Sequence, residues 1–319
     1  LRALAASRTS LDAELDVAWR EFLDVKQHLS ETKIQSVYGA NGMTSHSAIE
    51  AWIADLEQPG APEDDVLFAQ MLKDELDAGA HAIALVHRTR LTRTPDGYAV
   101  ERKTVQQVTQ LCSEDALVST SELSLSQCSG VIVGTDRILT AKHCLLGEFR
   151  GDADQIRVVL DYKKGVEKLP VTDVFTVEAR PPGQRDWVVL KLKDGRHFPP
   201  KRVASWSKRR PGESTDIFAV SYPLGTPRTT SRNASIIRYE GGNFVTDLDV
   251  LRGSSGCPVF SARDGFLVGI LTAGPEDFET VHRPDGTTCK RVIRRPSPAN
   301  GGPGEQVLPL HDILSELDR

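Results

Sequence analysis

From about residue 81 onward, the chain is a long series of short apolar runs separated by glycine, proline, asparagine and aspartate. Runs of this length predict β-strands, and the residues between them favour turns. So many short strands must be buried in a β-barrel or a β-sandwich. A Thr-Pro-Asp-Gly turn signal at residues 94–97 predicts a hairpin between the first two runs. The predicted strands cover residues 82–89, 98–105, 130–133, 137–140, 156–160, 171–177, 187–192, 216–220, 235–239, 243–247, 258–261 and 266–272.

The first eighty residues have a helical pattern instead. Apolar residues recur there at helical spacing in three stretches, which begin at Ser10, at Ser45 or Ser47, and at Pro62. Serine favours the N-cap of a helix, and proline is tolerated in its first turn. The sequence therefore predicts about three helices whose apolar sides pack on each other, on the rest of the chain or on a partner.

The change of pattern divides the chain into two regions. We assign residues 1–79 to a helical N-terminal region, which is either a pro-segment or an interaction module. Residues 80–319 form the β-rich domain, and helical periodicity returns only around residues 308–317.

Composition excludes several classes of protein. Hydrophobic residues make up 39% and charged residues 26% of the chain, which is ordinary for a soluble globular protein. The net charge of -5 argues against a nucleic-acid partner, because such proteins usually carry a basic face. The sequence has no run of 18 apolar residues, so we predict no membrane-spanning helix. The eight histidines and five cysteines show no metal-ligand spacing, so we predict neither a metal nor a cofactor and disfavour a metallohydrolase.

Three segments contain the residue types that amide hydrolysis by a serine requires. Ser255 lies in a glycine-flanked serine pair before a strand, His143 follows a strand that ends at Thr140, and Asp186 precedes an apolar strand. A hydroxyl, a base that takes its proton and an acid that orients the base are the parts of such a mechanism. Each segment also has an ordinary explanation: a turn, a surface histidine or an exposed strand start. Only their combination indicates catalysis.

On these motifs the chain resembles the trypsin/chymotrypsin superfamily of serine peptidases, in its bacterial branch. The order His, Asp, Ser is that of the family. Three segments of the chain are similar to motifs of the family: Thr140-Ala-Lys-His-Cys144, Asp186-Trp-Val-Val-Leu and Gly253-Ser-Ser-Gly-Cys-Pro258. The resemblance extends from about residue 80 to the end of the chain.

The resemblance implies a mostly β fold. Two antiparallel six-stranded barrels, at about residues 80–198 and 199–319, would enclose an active site in the cleft between them. A C-terminal helix would follow the second barrel, and the helical region 1–79 would be an N-terminal extension.

The resemblance also implies a role for each candidate residue. His143 would act as the general base, Asp186 as the acid that orients it, and Ser255 as the nucleophile. The backbone amides of Gly253 and Ser255 would form the oxyanion hole.

Asp249 lies six residues before Ser255, the spacing of the pocket-floor carboxylate in trypsin-like members. Gly274 matches an open pocket wall, and Thr272 is a further candidate for the same pocket. These residues predict cleavage after Arg or Lys, because a carboxylate forms charge-assisted hydrogen bonds with a basic side chain. Ser254 replaces the aspartate that trypsin-like zymogens carry before the nucleophile, so we expect activity without insertion of a new N-terminus.

The cysteines provide information about the cellular compartment in which the protein is located. Cys128 and Cys144 match the family pair that brackets the histidine strand, which implies a disulfide. Cys257 is expected to be a buried thiol, and the sequence assigns no partner to Cys112 or Cys289. A disulfide suits a secreted or periplasmic protein, which we favour, although the same cysteines stay reduced in a cytoplasmic one.

The sequence therefore predicts a serine endopeptidase that acts on protein or peptide substrates through an acyl-enzyme. The alternative is a catalytically silent trypsin-like scaffold that binds a protein partner through its N-terminal helices. All three triad positions are filled, which favours the enzyme.

Overall fold

The structure is a computed structural model that describes residues 43–112, 121–181, 184–207, 209–293, 298 and 302–313. The predicted helix that begins at Ser10 lies outside these residues. No helix of the described part is long and apolar enough to cross a membrane.

The other two predicted N-terminal helices are present, as α1 (His46–Leu56) and α2 (Glu63–Gly79). The Ser45 side chain caps α1 by accepting a hydrogen bond from the Ala48 amide at 3.3 Å, as its position predicts. The two helices pack through a small apolar cluster of their own. Its buried members are Ile49, Ile53, Leu56, Phe68, Ala69 and Leu72.

The first barrel closes through six antiparallel strands, as predicted. Around the barrel they are β2 (Ala82–His87), β5 (Cys128–Gly134), β6 (Arg137–Thr140), β10 (Val188–Leu192), β9 (Val174–Ala179) and β7 (Ile156–Val159).

Beside this barrel lie β3 (Leu91–Thr94), β4 (Gly97–Val100), the short helix α3 (Val105–Thr109) and β8 (Lys168–Leu169). The turn at residues 94–97 joins β3 to β4, so the hairpin is present but its arms differ from the prediction. The strand predicted at 82–89 ends early, because residues Arg88–Arg90 form a 3₁₀ turn. β2 then pairs with β5 and β7 instead of a hairpin partner.

The second barrel is also closed and six-stranded, as predicted, since its first and last strands pair with each other. Around the barrel they are β12 (Thr229–Glu240), β11 (Asp216–Ser221), β14 (Pro258–Ser261), β15 (Leu267–Ala273), β18 (Glu305–Pro309) and β13 (Asn243–Thr246). A separate hairpin, β16 (Phe278–His282) and β17 (Thr288–Val292), follows β15 and was not predicted.

Two further differences concern the ends of the chain. The N-terminal region is not wholly helical, because β1 (Met43–Ser45) pairs with the first half of β12. Near the C-terminus, helical periodicity predicted a helix at residues 308–317. Leu308 instead lies in β18, where backbone pairing with β15 overrides helical periodicity, and Leu310–Asp312 form one 3₁₀ turn. Residues 314–319 are outside the described part.

The alternation of side chains explains how the two barrels share one interior. In β2, Ile83 and Leu85 point into the first barrel, whereas Ala84 and Val86 belong to a cluster that also includes Phe260 of the second barrel. Because β2 is buried on both faces, its sequence is continuously apolar rather than alternating. This shared apolar cluster holds the barrels side by side and so forms the cleft between them.

The helical pair is attached to the second barrel by a buried ion pair. Glu75 of α2 and Arg232 of β12 approach to 2.7 Å, and their side chains are only 7% and 4% exposed. The two groups meet without well-aligned hydrogen bonds. The Arg232 guanidinium also lies 5.6 Å from the ring centroid of Trp52 in α1. The division of the chain at residue 79 stays a prediction, but α1 and α2 are packed on the barrel.

Substituting Glu75→Gln is expected to destabilise the fold by about 3 kcal/mol, because it leaves the buried Arg232 charge unpaired. The matched control is Glu57→Gln, which breaks the exposed Glu57–Lys73 pair on the same helices and should cost less than about 1 kcal/mol. Urea denaturation of both variants measures the difference. Equal effects would show that the buried pair has no special role.

Candidate active site

His143 and Asp186 come together through the pairing of two strands. β6 ends at Thr140, which pairs with Val188 of β10. Since the pair is antiparallel, the residues just after β6 lie opposite those just before β10. Asp186 therefore reaches His143 across the end of the sheet.

The Asp186 carboxylate binds His143 twice. Its Oδ2 lies 2.7 Å from His143 Nδ1, and its Oδ1 accepts the His143 backbone amide at 2.9 Å. This arrangement fixes the ring and leaves Nε2 as the nitrogen free to exchange a proton with a nucleophile. The His143 side chain is 45% exposed, so that nitrogen is accessible from the cleft.

The charge state of Asp186 follows from these contacts. Burial alone would raise the pKa of the carboxyl, but the two hydrogen bonds from His143 and the nearby charge of Lys142 outweigh it and hold the pKa below its usual range. Asp186 is therefore an anion at neutral pH and can stabilise an imidazolium on His143.

The reactive loop, residues 253–256, lies against the end of β6. The amide of Ser129 donates to the carbonyl oxygen of Ser255 at 2.9 Å. A Cβ at Gly256, where φ is +81°, would lie 2.8 Å from the nitrogen of Ala141, so only glycine permits this approach. The loop thus meets the first barrel two residues before His143.

The two serines of the loop differ in their exposure to solvent. Ser254 is fully buried, and its hydroxyl lies 3.0 Å from the hydroxyl of Ser221. Ser255 is partly exposed. The structure therefore makes Ser255, rather than Ser254, the accessible hydroxyl.

Two backbone amides of the loop are free. The amides of Ser254, Gly256 and Cys257 donate to backbone carbonyls at 2.7–3.0 Å. Among the backbone hydrogen bonds of the described residues, none has the amide of Gly253 or Ser255 as its donor. These are the two amides that the sequence assigned to an oxyanion hole.

Ser129 is a residue that sequence reasoning missed. Its hydroxyl donates to the Gly253 carbonyl at 2.9 Å and accepts from the Tyr222 amide at 3.1 Å. It therefore holds the reactive loop from the first barrel. Its position beside Cys128 was the only signal in the sequence.

The predicted specificity residues lie in and around the second barrel. The Asp249 amide donates to Ser231 Oγ at 3.1 Å, while Asp249 Oδ2 is buried without a hydrogen-bond partner. Thr272 is buried, and its hydroxyl donates to the Gln306 carbonyl at 3.3 Å. Gly274 follows β15, whose Leu271 carbonyl accepts the Gly256 amide, so one strand connects the reactive loop to this region.

A carboxylate that was not predicted lies against Gly274. A Cβ on Gly274 would lie only 2.7 Å from Cδ of Glu305, the first residue of β18. We call the region formed by Asp249, Thr272, Gly274 and Glu305 the acidic pocket. No pattern in the sequence indicated Glu305, because it is 50 residues from Ser255 and follows a loop.

The pKa values of the two carboxyl groups of the acidic pocket are both raised. Burial, and then the charge of Asp277, raise the pKa of Asp249 to about 6. Burial, and then the charges of Asp277 and Asp249, raise the pKa of Glu305 well above its usual range. Both groups therefore hold protons more tightly than exposed carboxyls do.

The cysteines form two disulfides. Cys128–Cys144 is the pair that the resemblance implied, and it links β5 to the turn after His143. Cys112–Cys289 links the segment after α3 to β17 and was not assigned from sequence. Cys257 is a buried thiol, and burial raises its pKa, which agrees with its expected role as a small apolar side chain.

A cleft of about 180 Å³ opens beside Gly253. Leu224 and Phe278 contribute apolar surface, and Arg252 lines it while paired with Glu148 at 3.0 Å. Across the described ranges, no group of three His, Cys, Asp or Glu side chains could hold a metal ion.

Part of the chain is similar to a known protein family. Residues 128–270 match the family model of the trypsin-like peptidase domain. No curated protein matches the chain. Among solved structures, the chain is similar to the inactive form of Rv3671c from M. tuberculosis H37Rv, a serine-to-alanine mutant. The identity is 13% and the TM-score 0.44, with 77% of this chain and 88% of that chain covered. Residues 128–270, which contain His143, Asp186 and Ser255, are therefore similar to a trypsin-like peptidase domain.

Proposed function

We propose that the protein is a serine endopeptidase with the triad His143, Asp186 and Ser255. The observation that carries the proposal is the double hydrogen bond of Asp186 to His143 in the barrel whose Ser129 binds the carbonyl of the partly exposed Ser255. A silent scaffold would need none of these groups to be accessible or correctly charged. The family match supports protein or peptide substrates.

The reaction follows from the roles of these groups. Ser255 Oγ bonds to the scissile carbonyl carbon while its proton moves to His143 Nε2, and the amides of Gly253 and Ser255 receive the oxyanion. One such donor contributes about 3–4 kcal/mol to the rate. Collapse of the intermediate breaks the C–N bond, and His143 protonates the leaving amine. Water, deprotonated by His143, then hydrolyses the acyl-enzyme and restores the Ser255 hydroxyl.

The surroundings of the triad would receive the substrate on both sides. The acidic pocket supports preference for Arg or Lys before the cleaved bond. The cleft beside Gly253, on the side of Glu148, would receive the chain after the bond. The N-terminal helices are proposed as a packed extension of the second barrel, with partner binding as the alternative.

Labelling with a fluorophosphonate probe tests the nucleophile. We expect covalent labelling of the wild type, its loss in Ser255→Ala, and a fall in peptide hydrolysis of about 10⁵–10⁶-fold. The matched control is Ser254→Ala, which removes the neighbouring hydroxyl and should keep the label. Absence of labelling in the folded wild type would favour the silent scaffold.

Substitution Asp186→Asn tests the orienting acid. We expect kcat to fall by about 10⁴-fold, because an amide favours the wrong imidazole tautomer and cannot stabilise imidazolium. Steady-state kinetics on a peptide substrate provide the measurement. The exposed Asp96→Asn variant is the control and should keep the wild-type rate. A small effect of Asp186→Asn would contradict its role.

Peptides that differ only in the residue before the cleaved bond test specificity. We expect the highest kcat/KM with Arg or Lys, because these side chains bring a positive charge to the buried Asp249. Peptides with Glu and Phe at that position are the comparison. Preference for either of these would contradict the assignment of the acidic pocket.

A further inference from the structure

Glu305 is a buried carboxylate without a counterion. Its residue is 8% exposed, and it pairs through the backbone with Thr246 of β13. None of the hydrogen bonds and ion pairs of the described residues involves its carboxylate. The side chain lies against Gly274, where the absence of a Cβ gives it room.

A second unpaired oxygen lies close to it. Asp249 Oδ2 is buried without a hydrogen-bond partner, and the charge of Asp249 raises the pKa of Glu305. Burying a carboxylate without a partner costs several kcal/mol, and a second one nearby adds repulsion. Glu75, the other acid among the described residues that is buried to this degree, has a cationic partner in Arg232. The acidic pocket is therefore organised for a cation that comes from outside.

The chemical class of that cation follows from the site. No group of three potential ligands suited to a metal ion occurs in the described part of the chain. The strand that passes Gly274 is bonded to the reactive loop through Leu271 and Gly256. A guanidinium or ammonium on the substrate that entered beside Gly274 would meet the Glu305 carboxylate.

We propose that Glu305 is a second specificity-determining carboxylate, which acts with Asp249 to bind the basic side chain of the substrate. This inference rests on the proposed function. It adds Glu305 as a second carboxylate on the wall of the acidic pocket, whereas the sequence pattern indicated Asp249 as the carboxylate, with Thr272 and Gly274 beside it.

Binding of a cation should release protons from the acidic pocket. The titratable groups that face Glu305 are Asp249, Asp277 and the thiol of Cys257, and burial raises the pKa of that thiol so that it stays neutral. Because the pKa values of Asp249 and Glu305 are both raised, the empty pocket keeps its protons to a higher pH than exposed carboxyls do. An entering cation favours the ionised carboxylates and releases a proton. Affinity for the cation should therefore rise with pH.

The stability of the fold should fall as the pH rises, whereas affinity for the cation increases. A raised pKa in the folded state stabilises the fold at low pH, and that contribution is lost as the pH rises through the folded-state pKa. Glu305→Gln removes the cost of ionising this site. The variant should therefore unfold at the same or a higher temperature than the wild type at pH 8, while it binds the cation less well.

The test uses p-aminobenzamidine, an aromatic amidinium, with the full chain. Its dissociation constant is measured by fluorescence at pH 6, 7 and 8, and its proton release by calorimetry in two buffers. Glu305→Gln should weaken binding by about tenfold or more, since it removes a charge-assisted contact, and should reduce proton release. Glu305→Asp, which keeps the charge, should retain proton release. The exposed Glu279→Gln is the control and should behave as the wild type.

Two results would overturn the proposal. One is unchanged affinity and proton release in Glu305→Gln. The other is a wild type that reacts with fluorophosphonate but does not bind the amidinium, which would mean that Glu305 closes the pocket. Fluorophosphonate labelling distinguishes this failure from failure of the proposed function. Amidinium binding without labelling would refute the peptidase activity and leave the pocket assignment intact.

Discussion

The contact of Ser129 with the reactive loop is the interaction on which the site depends. From the first barrel, Ser129 binds the carbonyls of Gly253 and Ser255, which belong to the second. The first barrel also holds His143, just after β6, and Asp186, just before β10. The relative placement of Ser255, His143 and Asp186 is thus decided where the two barrels touch. The shared apolar cluster, which contains Val86 and Phe260, keeps that contact closed to water.

Four fully or partly buried acids among the described residues differ in their partners. Asp186 receives hydrogen bonds from His143, and Glu75 is paired with Arg232, so both charges are compensated within the fold. Asp249 and Glu305 have no such compensation. Because ionising a buried carboxyl without a partner costs free energy, the lack of a partner agrees with the proposed role of both groups in binding a ligand.

The N-terminal helices are part of the packed structure. β1 extends the sheet of the second barrel, and Arg232 is enclosed by Glu75 and Trp52. Asp161 of the first barrel meanwhile binds Arg202 and Arg228, of which Arg228 also donates to the carbonyl of Gly79 at the end of α2. The end of α2 is therefore linked to both barrels through Arg228.

Much of the fold could be predicted from local patterns. Strand length, turn residues and the N-cap at Ser45 depend on neighbours in sequence, and they were assigned correctly for most of both barrels and for α1 and α2. The candidates His143, Asp186 and Ser255 were also evident, because each lies at a strand end within a short motif. Local patterns failed at β18, where helical periodicity at Leu308 gave way to pairing with β15.

The sequence by itself determined the strand-rich class, the order of the three candidate catalytic residues and the spacing of Asp249 from Ser255. Only the tertiary structure decided that Ser254 is buried while Ser255 is accessible. It also decided that Ser129 holds the loop and that Glu305 faces Gly274. The physical reason is that strand and turn preferences act between neighbouring residues. Burial, free amides and the acidity of a carboxyl depend on groups that are distant in the chain and meet only when both barrels have closed.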